Sequence, residues 1–135
     1  MHQDLTTLRL FFAAINRNDM DSMAELLASD VLRVEPEGFD TAGTYIGVDA
    51  VRECVQKGRG TWAEGSCNPE DFLINGGKVV VYLHARVRLE RNNEWVGGRF
   101  ADGFVLRDGK IVEYRTFWER KDALAWADIG AGGSH

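Results

Sequence analysis

The sequence predicts an α+β fold in which three N-terminal helices pack on a curved, mostly antiparallel sheet. Apolar residues recur at spacings of three and four up to about residue 58, which is the period of amphipathic helices. From Thr61 onward the pattern changes to strand-like runs separated by turn sequences, which is typical of hairpins. Helices that precede nearly all of the strands favour α+β over an alternating βαβ arrangement. The length of 135 residues fits one domain.

Four helices are predicted from apolar periodicity and capping residues. The first has its apolar positions on one face, at Leu5, Leu8, Phe11, Phe12 and Ile15. The second follows the cap-type residues Asn18 and Asp19 and includes Leu27 near its end. The third opens at Gly47 and closes at Gly58. The predicted helices span residues 4–16, 20–30, 47–58 and 122–127.

Five strands are predicted from alternation and β-branched content. The first stops at Pro36, because proline cannot continue a central strand. The later strands are separated by Asn-Gly-Gly, Arg-Asn-Asn-Glu and Arg-Asp-Gly-Lys, so we expect them to pair antiparallel. The predicted strands span residues 31–35, 72–74, 79–90, 95–106 and 111–119. The stretch between the first strand and the third helix is predicted as a Gly- and Thr-rich loop. The domain is expected to cover residues 1–129, with a flexible tail at 130–135.

Composition excludes several classes of function. The net charge of −5 and the absence of a basic block argue against nucleic-acid binding. No apolar run has membrane-spanning length and the N-terminus does not resemble a signal peptide, so no membrane association and a cytoplasmic location are expected. Cys54 and Cys67 are predicted to be free thiols. His2, His84 and His135 lie too far apart for metal-ligand spacing, so neither a metal nor a cofactor is expected.

Strand alternation places one acidic residue on an apolar face. Residues two apart share a face of a strand, so Phe100, Asp102, Phe104 and Leu106 point the same way. Asp102 is the one charged member of this set, and a charge among apolar side chains is costly unless it is neutralised or partnered. The same rule on the last strand directs four residues inward, namely Val112, Tyr114, Thr116 and Trp118. Tyr114 is then expected within reach of Asp102.

Short sequence segments, taken in order, resemble the nuclear transport factor 2-like superfamily, and within it ketosteroid isomerase and SnoaL-like proteins. The segments are Asn18-Asp19, then residues 29–36 (SDVLRVEP), Tyr45-Ile46-Gly47, residues 108–111 (DGKI) and Phe117-Trp118. This resemblance implies a cone whose open end, lined by helices and the concave sheet face, takes a small apolar molecule. It also implies a homodimer formed through the outer sheet face.

The resemblance further implies roles for individual residues. Glu35 stands directly before a proline at the end of the first strand, where the isomerases keep their general base. Asp102 matches the position of a protonated carboxylic acid that donates to the developing oxyanion, as in ketosteroid isomerase. Tyr114 is the predicted helper of Asp102. The expected cleft-shaping, ligand-binding residues are Phe11, Leu27, Val55, Phe100, Phe104 and Trp118.

The chain also departs from the isomerase pattern. Phe11 occupies the helix-one position where the isomerases place a donor tyrosine, and Leu27 and Val55 stand at two supporting tyrosine positions. We therefore expect either a cofactor-independent isomerase or cyclase that transfers a proton alpha to a carbonyl, or a non-catalytic ligand-binding or dimerisation module. Epoxide-hydrolase-like activity is a further alternative, although Arg99 and Asp102 are three positions apart where the hydrolases have an Arg-x-Asp pair.

Overall fold

One curved, six-stranded sheet forms the body of the protein in the computed structural model, which describes residues 2–130. Helices α1–α3 contribute to the apolar core on one face of the sheet, and α4 packs on the other face. In chain order the elements are α1 (His2–Asn16), α2 (Met20–Glu25), β1 (Leu27–Glu35), β2 (Gly43–Ile46), α3 (Val48–Arg59), β3 (Trp62–Asn75), β4 (Lys78–Leu89), β5 (Trp95–Arg107), β6 (Lys110–Phe117) and α4 (Arg120–Trp126). The predicted α+β class is confirmed. Residues 131–135 of the predicted tail lie outside the described part of the chain.

The strand order is β2-β1-β6-β5-β4-β3. Every neighbouring pair is antiparallel except β1 and β6, which run parallel. The parallel pair brings the first long strand beside the last one, with Arg33 opposite Tyr114. Residues far apart in the sequence therefore share the middle of the sheet.

The second helix is shorter than predicted, and Leu27 was wrongly assigned to it. Helix α2 ends at Glu25, and Leu27 begins β1 instead. The amide of Ile111 donates to the carbonyl oxygen of Leu26 at 2.9 Å, and Leu27 pairs with Ile111 in β6. Pairing with a distant strand thus overrides the helical period of the local sequence.

The sequence pattern did not predict strand β2 at all and predicted only part of strand β3. The predicted loop after Pro36 contains β2, a four-residue edge strand that pairs only with β1. Strand β3 begins at Trp62, ten residues before the predicted start at Phe72. Its first part carries Gly65 and Pro69, which weaken a strand signal but are tolerated at the edge of a sheet, where β3 lies.

Helix α1 packs aromatic side chains against the concave face of the sheet. Phe11 is fully buried and meets Phe104 and Tyr114 edge to face, with ring centroids 5.6 and 5.1 Å apart. The helix end is fixed to β3 by Asn16, whose side-chain amide donates to the carbonyl oxygen of Cys67 at 3.0 Å and accepts from its amide at 2.8 Å. The paired hydrogen bonds hold one wall of the cone in place.

Helix α4 covers part of the outer face. The α4 side chains pack with Val80 and Ala101, which point away from the concave side; they are Ala123, Leu124 and Ala127.

Within residues 2–130, no helix is both long enough and apolar enough to cross a membrane.

Candidate active site

A cavity of about 540 Å³ lies between the helices and the concave face of the sheet. Much of its wall is apolar. The apolar lining side chains include Phe12, Ile15, Val55, Trp62 and Phe100. The charged lining side chains are Arg33, Glu35, Asp40, Lys57, Arg59 and Asp102. Apolar walls with a few convergent polar groups are typical of sites for small molecules.

Glu35 ends β1 with its side chain inside the protein, 7% exposed. One carboxylate oxygen, Oε2, accepts hydrogen bonds from the Thr41 hydroxyl at 2.8 Å and from the Cys54 thiol at 2.6 Å. The other oxygen, Oε1, lies 3.7 Å from Nη2 of Arg33. The carboxylate is therefore anchored through one oxygen, and the second is free of close donors.

Arg33 is buried beside Glu35, with a residue exposure of 4%. Its guanidinium carbon lies 3.8 Å from the centroid of the Tyr114 ring, so the cation stacks on the ring face. Nη1 donates to the carbonyl oxygens of Val34 at 3.1 Å and Tyr114 at 3.4 Å. Arg33 and Glu35 share a face because they are two positions apart on a strand.

Asp102 projects from β5 into the same cavity and is 2% exposed. Its Oδ1 accepts a hydrogen bond of 2.7 Å from the hydroxyl of Thr116, the residue opposite on β6. Burial disfavours the charged carboxylate and raises the pKa of Asp102 to about 6, although the nearby Arg33 cation and the Thr116 hydrogen bond oppose this rise. Asp102 can therefore gain or lose a proton near neutral pH.

Tyr114 is held between two planar groups. Its ring stacks on Phe104 with centroids 5.0 Å apart and planes 8° apart, and the Arg33 guanidinium lies over its ring. Burial raises the pKa of the Tyr114 hydroxyl well above its ordinary value, so the phenol stays protonated. The hydrogen bond to Asp102 comes from Thr116 rather than from Tyr114, which was the expected partner.

Both cysteines are free and buried, and both line the cavity. Burial, with the hydrogen bond to Glu35, raises the pKa of the Cys54 thiol to about 12. Burial likewise raises the pKa of Cys67. The two thiols are thus protonated at neutral pH, and Cys54 acts as a hydrogen-bond donor to Glu35.

The structure brings together five of the predicted site residues and separates the other four. The residues that line the cavity are Glu35, Val55, Phe100, Asp102 and Tyr114. Phe11, Leu27 and Phe104 are instead buried within the core that supports the cavity wall.

Trp118 was expected to face the cleft and lies outside it. Strand β6 ends at Phe117, so the alternation that directed Trp118 inward no longer applies. The Trp118 side chain packs on Phe39 with ring centroids 4.6 Å apart, and its Nε1 donates to the carbonyl oxygen of Glu37 at 2.8 Å. Its side chain lines an adjoining surface cavity of about 470 Å³, which shares Phe39, Asp40 and Thr61 with the main cavity.

Sequence reasoning missed Arg33 and Thr41 as parts of the site. Alternation offers a signal for Arg33, since a residue two positions before an inward Glu35 must share its face. Thr41 lies in the turn before β2 and gives no such signal. Among residues 2–130, no three His, Cys, Asp or Glu side chains come together as a group that could hold a metal ion.

The architecture is that of the nuclear transport factor 2-like superfamily. The model of the SnoaL-like domain family matches residues 8–114, and the chain belongs to that family. The superfamily predicted from the sequence is thereby confirmed.

Three individual proteins are similar to this chain in sequence or in structure. The uncharacterized protein Rv0034 of Mycobacterium tuberculosis (strain H37Rv) is 29% identical over 117 residues, which cover 85% of this chain and 88% of that protein. An NTF2-like protein of unknown function from Burkholderia pseudomallei K96243 superposes with a TM-score of 0.78 at 23% identity, covering 94% of this chain and 98% of that one. TerC, co-crystallized with polyporic acid, superposes with a TM-score of 0.77 at 20% identity, covering 93% and 97%. Because these two solved structures are less than 25% identical to this chain, they establish its fold alone.

Proposed function

We propose that this protein is a cofactor-independent enzyme that transfers a proton alpha to the carbonyl group of a small apolar compound, in an isomerisation or a cyclisation. The observation that carries the proposal is that two carboxyl groups with different surroundings, Glu35 and Asp102, line one apolar-walled cavity. An enolisation needs a base for the carbon-bound proton and a donor for the oxygen that becomes negative.

Glu35 is the proposed base. Its Oε2 is occupied by Thr41 and Cys54, which fixes the carboxylate and leaves Oε1 to accept a proton from carbon. The carbon–hydrogen electron pair moves into the new carbon–carbon double bond, and the carbonyl π electrons move to oxygen. In an isomerisation, Glu35 returns the proton to another carbon of the conjugated system, so the enzyme ends unchanged.

Asp102 is the proposed donor to the enolate oxygen. Its raised pKa, about 6, keeps a share of the carboxyl groups protonated near neutral pH, and only the protonated form can donate. The Thr116 hydroxyl occupies Oδ1, which leaves Oδ2 for the substrate oxygen. Because the pKa is raised, the donor form is lost as the pH increases through about 6.

Phe11 supports a second candidate, a ligand-binding module without catalysis. The side chain on α1 where the isomerases place a donor tyrosine is fully buried and brings no hydroxyl group to the cavity. Loss of one preorganised donor typically lowers the rate by two to three decades, about 3 kcal/mol. TerC, of the same fold, was co-crystallized with polyporic acid, which is consistent with a ligand-binding role for this fold.

Deuterium exchange at the alpha carbon of a ketone distinguishes the proton-transfer enzyme from the ligand-binding module. The protein is incubated in D₂O with a cyclic β,γ-unsaturated ketone, and deuterium incorporation at the alpha carbon is followed by NMR. We expect exchange to be faster than in buffer and to fall about 100-fold or more in Glu35→Gln. The matched control is Glu37→Gln, at an exposed glutamate two positions along the chain.

A second readout tests the role of Asp102. The exchange rate is expected to fall as the pH rises from 5 to 8, with an inflection near 6, and Asp102→Asn is expected to flatten that dependence. Binding of the ketone without exchange above the buffer rate would establish the ligand-binding module instead. Equal exchange by the wild type and Glu35→Gln would remove Glu35 as the base.

A further inference from the structure

The surface cavity that Trp118 lines, here named the outer cavity, continues the concave face of the sheet. Its lining includes Leu89 at the end of β4 and Val96 near the start of β5, two strands that pair without a register shift. Residues an even number of positions apart in a strand point to the same side. Leu89 therefore shares a face with Leu83 of the core, and Val96 shares one with Phe100, which lines the main cavity. One face of the sheet thus forms part of both cavities.

The two cavities meet at one wall. Phe39, Asp40 and Thr61 line both of them. The first two belong to the segment 36–42, which connects β1 to β2 and is not part of either strand. The Phe39 ring packs on Trp118, which is itself a side chain of the outer cavity. A rotation of the Phe39 side chain would therefore join the two spaces without breaking a strand.

The rim of the outer cavity is held only by an exposed ion pair. Nη1 of Arg91 lies 3.8 Å from Oδ2 of Asp40, and the two side chains are 69% and 87% exposed. Ion pairs this exposed contribute little to stability because water screens them. The rim can thus open to a ligand at little cost.

The free surface inside the outer cavity is apolar and partly aromatic. Trp118 is 51% exposed and Val96 is 40% exposed, and large apolar side chains exposed side by side are typical of binding sites. The indole Nε1 of Trp118 already donates to the carbonyl oxygen of Glu37 at 2.8 Å. The polar group of this side chain is therefore satisfied, and a ligand meets the ring surface, which favours a second aromatic ring.

We propose that the ligand is an elongated apolar compound that occupies both cavities, with its reacting part beside Glu35 and Asp102 and a second ring in the outer cavity against Trp118 and Val96. This inference rests on the proposed function only in that the main cavity holds the reacting part. It narrows the substrate class from small apolar ketones to those that carry a further ring at the end opposite the carbonyl group. Trp118 and Val96 are then specificity-determining residues and take no part in the proton transfer.

Three phenols test the position of the second ring. Carbons 2 and 6 of naphthalene lie at opposite ends of the ring system, so 6-phenyl-2-naphthol extends 2-naphthol away from its hydroxyl group. The isomer 3-phenyl-2-naphthol has the same composition but does not extend that end. Isothermal titration calorimetry measures the affinity of each compound. Burial of a phenyl ring corresponds to about 10- to 100-fold in affinity. We expect the wild type to bind 6-phenyl-2-naphthol at least tenfold more tightly than 2-naphthol, and 3-phenyl-2-naphthol no more than about threefold more tightly.

Two variants locate this gain in affinity. Trp118→Ala removes the aromatic wall of the outer cavity, and Val96→Glu places a carboxylate on its sheet face. Each variant is expected to lower the ratio of the 6-phenyl-2-naphthol affinity to the 2-naphthol affinity to about threefold or less. Because the gain is a ratio within one variant, a general loss of binding cancels. Val96→Glu leaves the contacts of Trp118 with Phe39 and Glu37 in place, so it separates the loss of the outer cavity from a disturbed turn.

Trp95→Ala is the matched control. Trp95 is also a half-exposed tryptophan, at 43%, and is also in contact with a second side chain, Arg86, which lies over its ring at 4.8 Å. It is not among the described residues that line either cavity. This variant is expected to keep the full gain of the wild type.

Four results would overturn the inference. They are a wild type that binds none of the three phenols, a wild type without the gain, an equal gain for 3-phenyl-2-naphthol, and a gain that persists in both Trp118→Ala and Val96→Glu. Sedimentation equilibrium of the same variants tests the other possible occupant. If Trp118→Ala kept the gain and weakened self-association, the outer cavity would be assigned to an interface between copies of this chain.

The deuterium-exchange experiment is independent of these affinities. A gain with 6-phenyl-2-naphthol but no exchange above the buffer rate would uphold the elongated ligand and refute the catalytic proposal. Exchange without the gain would uphold the catalytic proposal and refute the elongated ligand.

Discussion

Thr116 donates its hydroxyl hydrogen to Asp102 across the β5–β6 pair, at 2.7 Å. This hydrogen bond stabilises the ionised carboxylate and limits the rise in pKa that burial causes. Thr116→Val keeps the side-chain shape and removes the donor, so the pKa of Asp102 is expected to rise above its value of about 6. A ¹³C NMR titration of the aspartate carboxyl groups measures the change, and Thr116→Ser, which restores a hydroxyl, is the control. A lower pKa in Thr116→Val would contradict the assigned role.

Asp102 also makes stability depend on pH. Its folded-state pKa is raised from 3.8 to about 6, so the folded protein holds this proton more tightly than the unfolded chain does. The contribution of this proton to the free energy of unfolding is complete below about pH 4 and is lost as the pH rises through about 6. Relative to Asp102→Asn, the wild type is expected to lose about 3 kcal/mol of unfolding free energy over that interval.

Urea unfolding at a series of pH values measures this difference. The same substitution at exposed Asp128 is the control. A gap between the wild type and Asp102→Asn that stays constant from pH 4 to pH 8 would refute the link between burial and titration.

The cysteines are expected to resist alkylation in the folded protein. With its pKa raised to about 12, about one in ten thousand Cys54 thiols is ionised at pH 8, and the thiolate is the reactive form. In a Cys67→Ala background, labelling of Cys54 by iodoacetamide at pH 8 is expected to be at least about 1000-fold slower than in guanidinium-unfolded protein. Similar labelling rates in the two states would show that Cys54 is neither buried nor bonded to Glu35.

Gly103 is needed where β5 meets α4. A methyl group at this position would lie 2.6 Å from Cζ3 of Trp126 and 3.1 Å from Cε2 of Phe117. Gly103→Ala is therefore expected to cost about 1–3 kcal/mol and to displace the Trp126 ring. Chemical denaturation gives the cost, and a Trp126→Leu background is expected to reduce it, since the two residues are coupled. An equal cost in both backgrounds would place the strain elsewhere.

The homodimer expected through the outer sheet face remains a prediction. Trp95 lies on that face of β5, beyond the part covered by α4, and is 43% exposed with Arg86 stacked over its ring at 4.8 Å. Trp95→Lys is expected to weaken self-association at least tenfold in sedimentation equilibrium. Leu10→Lys, at an exposed apolar residue of α1, is the control. A monomeric wild type at high micromolar concentration would contradict the dimer.

Local apolar patterns predicted helix α1 and strands β4 and β5 close to their observed bounds. Asp102 was noticed because it is the one charged residue on an apolar strand face, and it is buried. Strand β3 was predicted only in part, since an edge strand paired on one side tolerates polar residues, Gly65 and Pro69. Its existence depends on pairing with β4 rather than on its own composition.

Alternation along β1 could have placed Arg33 on the inward face, but the contacts that hold Arg33 and Glu35 in the site are non-local. Arg33 is buried because Tyr114 offers a ring face and a carbonyl oxygen to it, and the two residues meet through the parallel pairing of β1 with β6. No spacing within either strand specifies that register. Similarly, the donors to Glu35 come from the turn before β2 and from α3, and neither segment carries a pattern that points to a carboxylate.

The parallel pairing of β1 with β6 also has a consequence for the order of assembly. While the ribosome is still synthesising the chain, Glu35 emerges long before β5 and β6, so β1 has only β2 as a hydrogen-bonding neighbour in the sheet. Closing a contact across so many residues is slow because the loop entropy is lost first. The cavity is thus completed only when the last strand is inserted. A nascent or truncated chain that stops before residue 110 would contain Glu35 but would lack Tyr114, whose ring holds Arg33 beside Glu35.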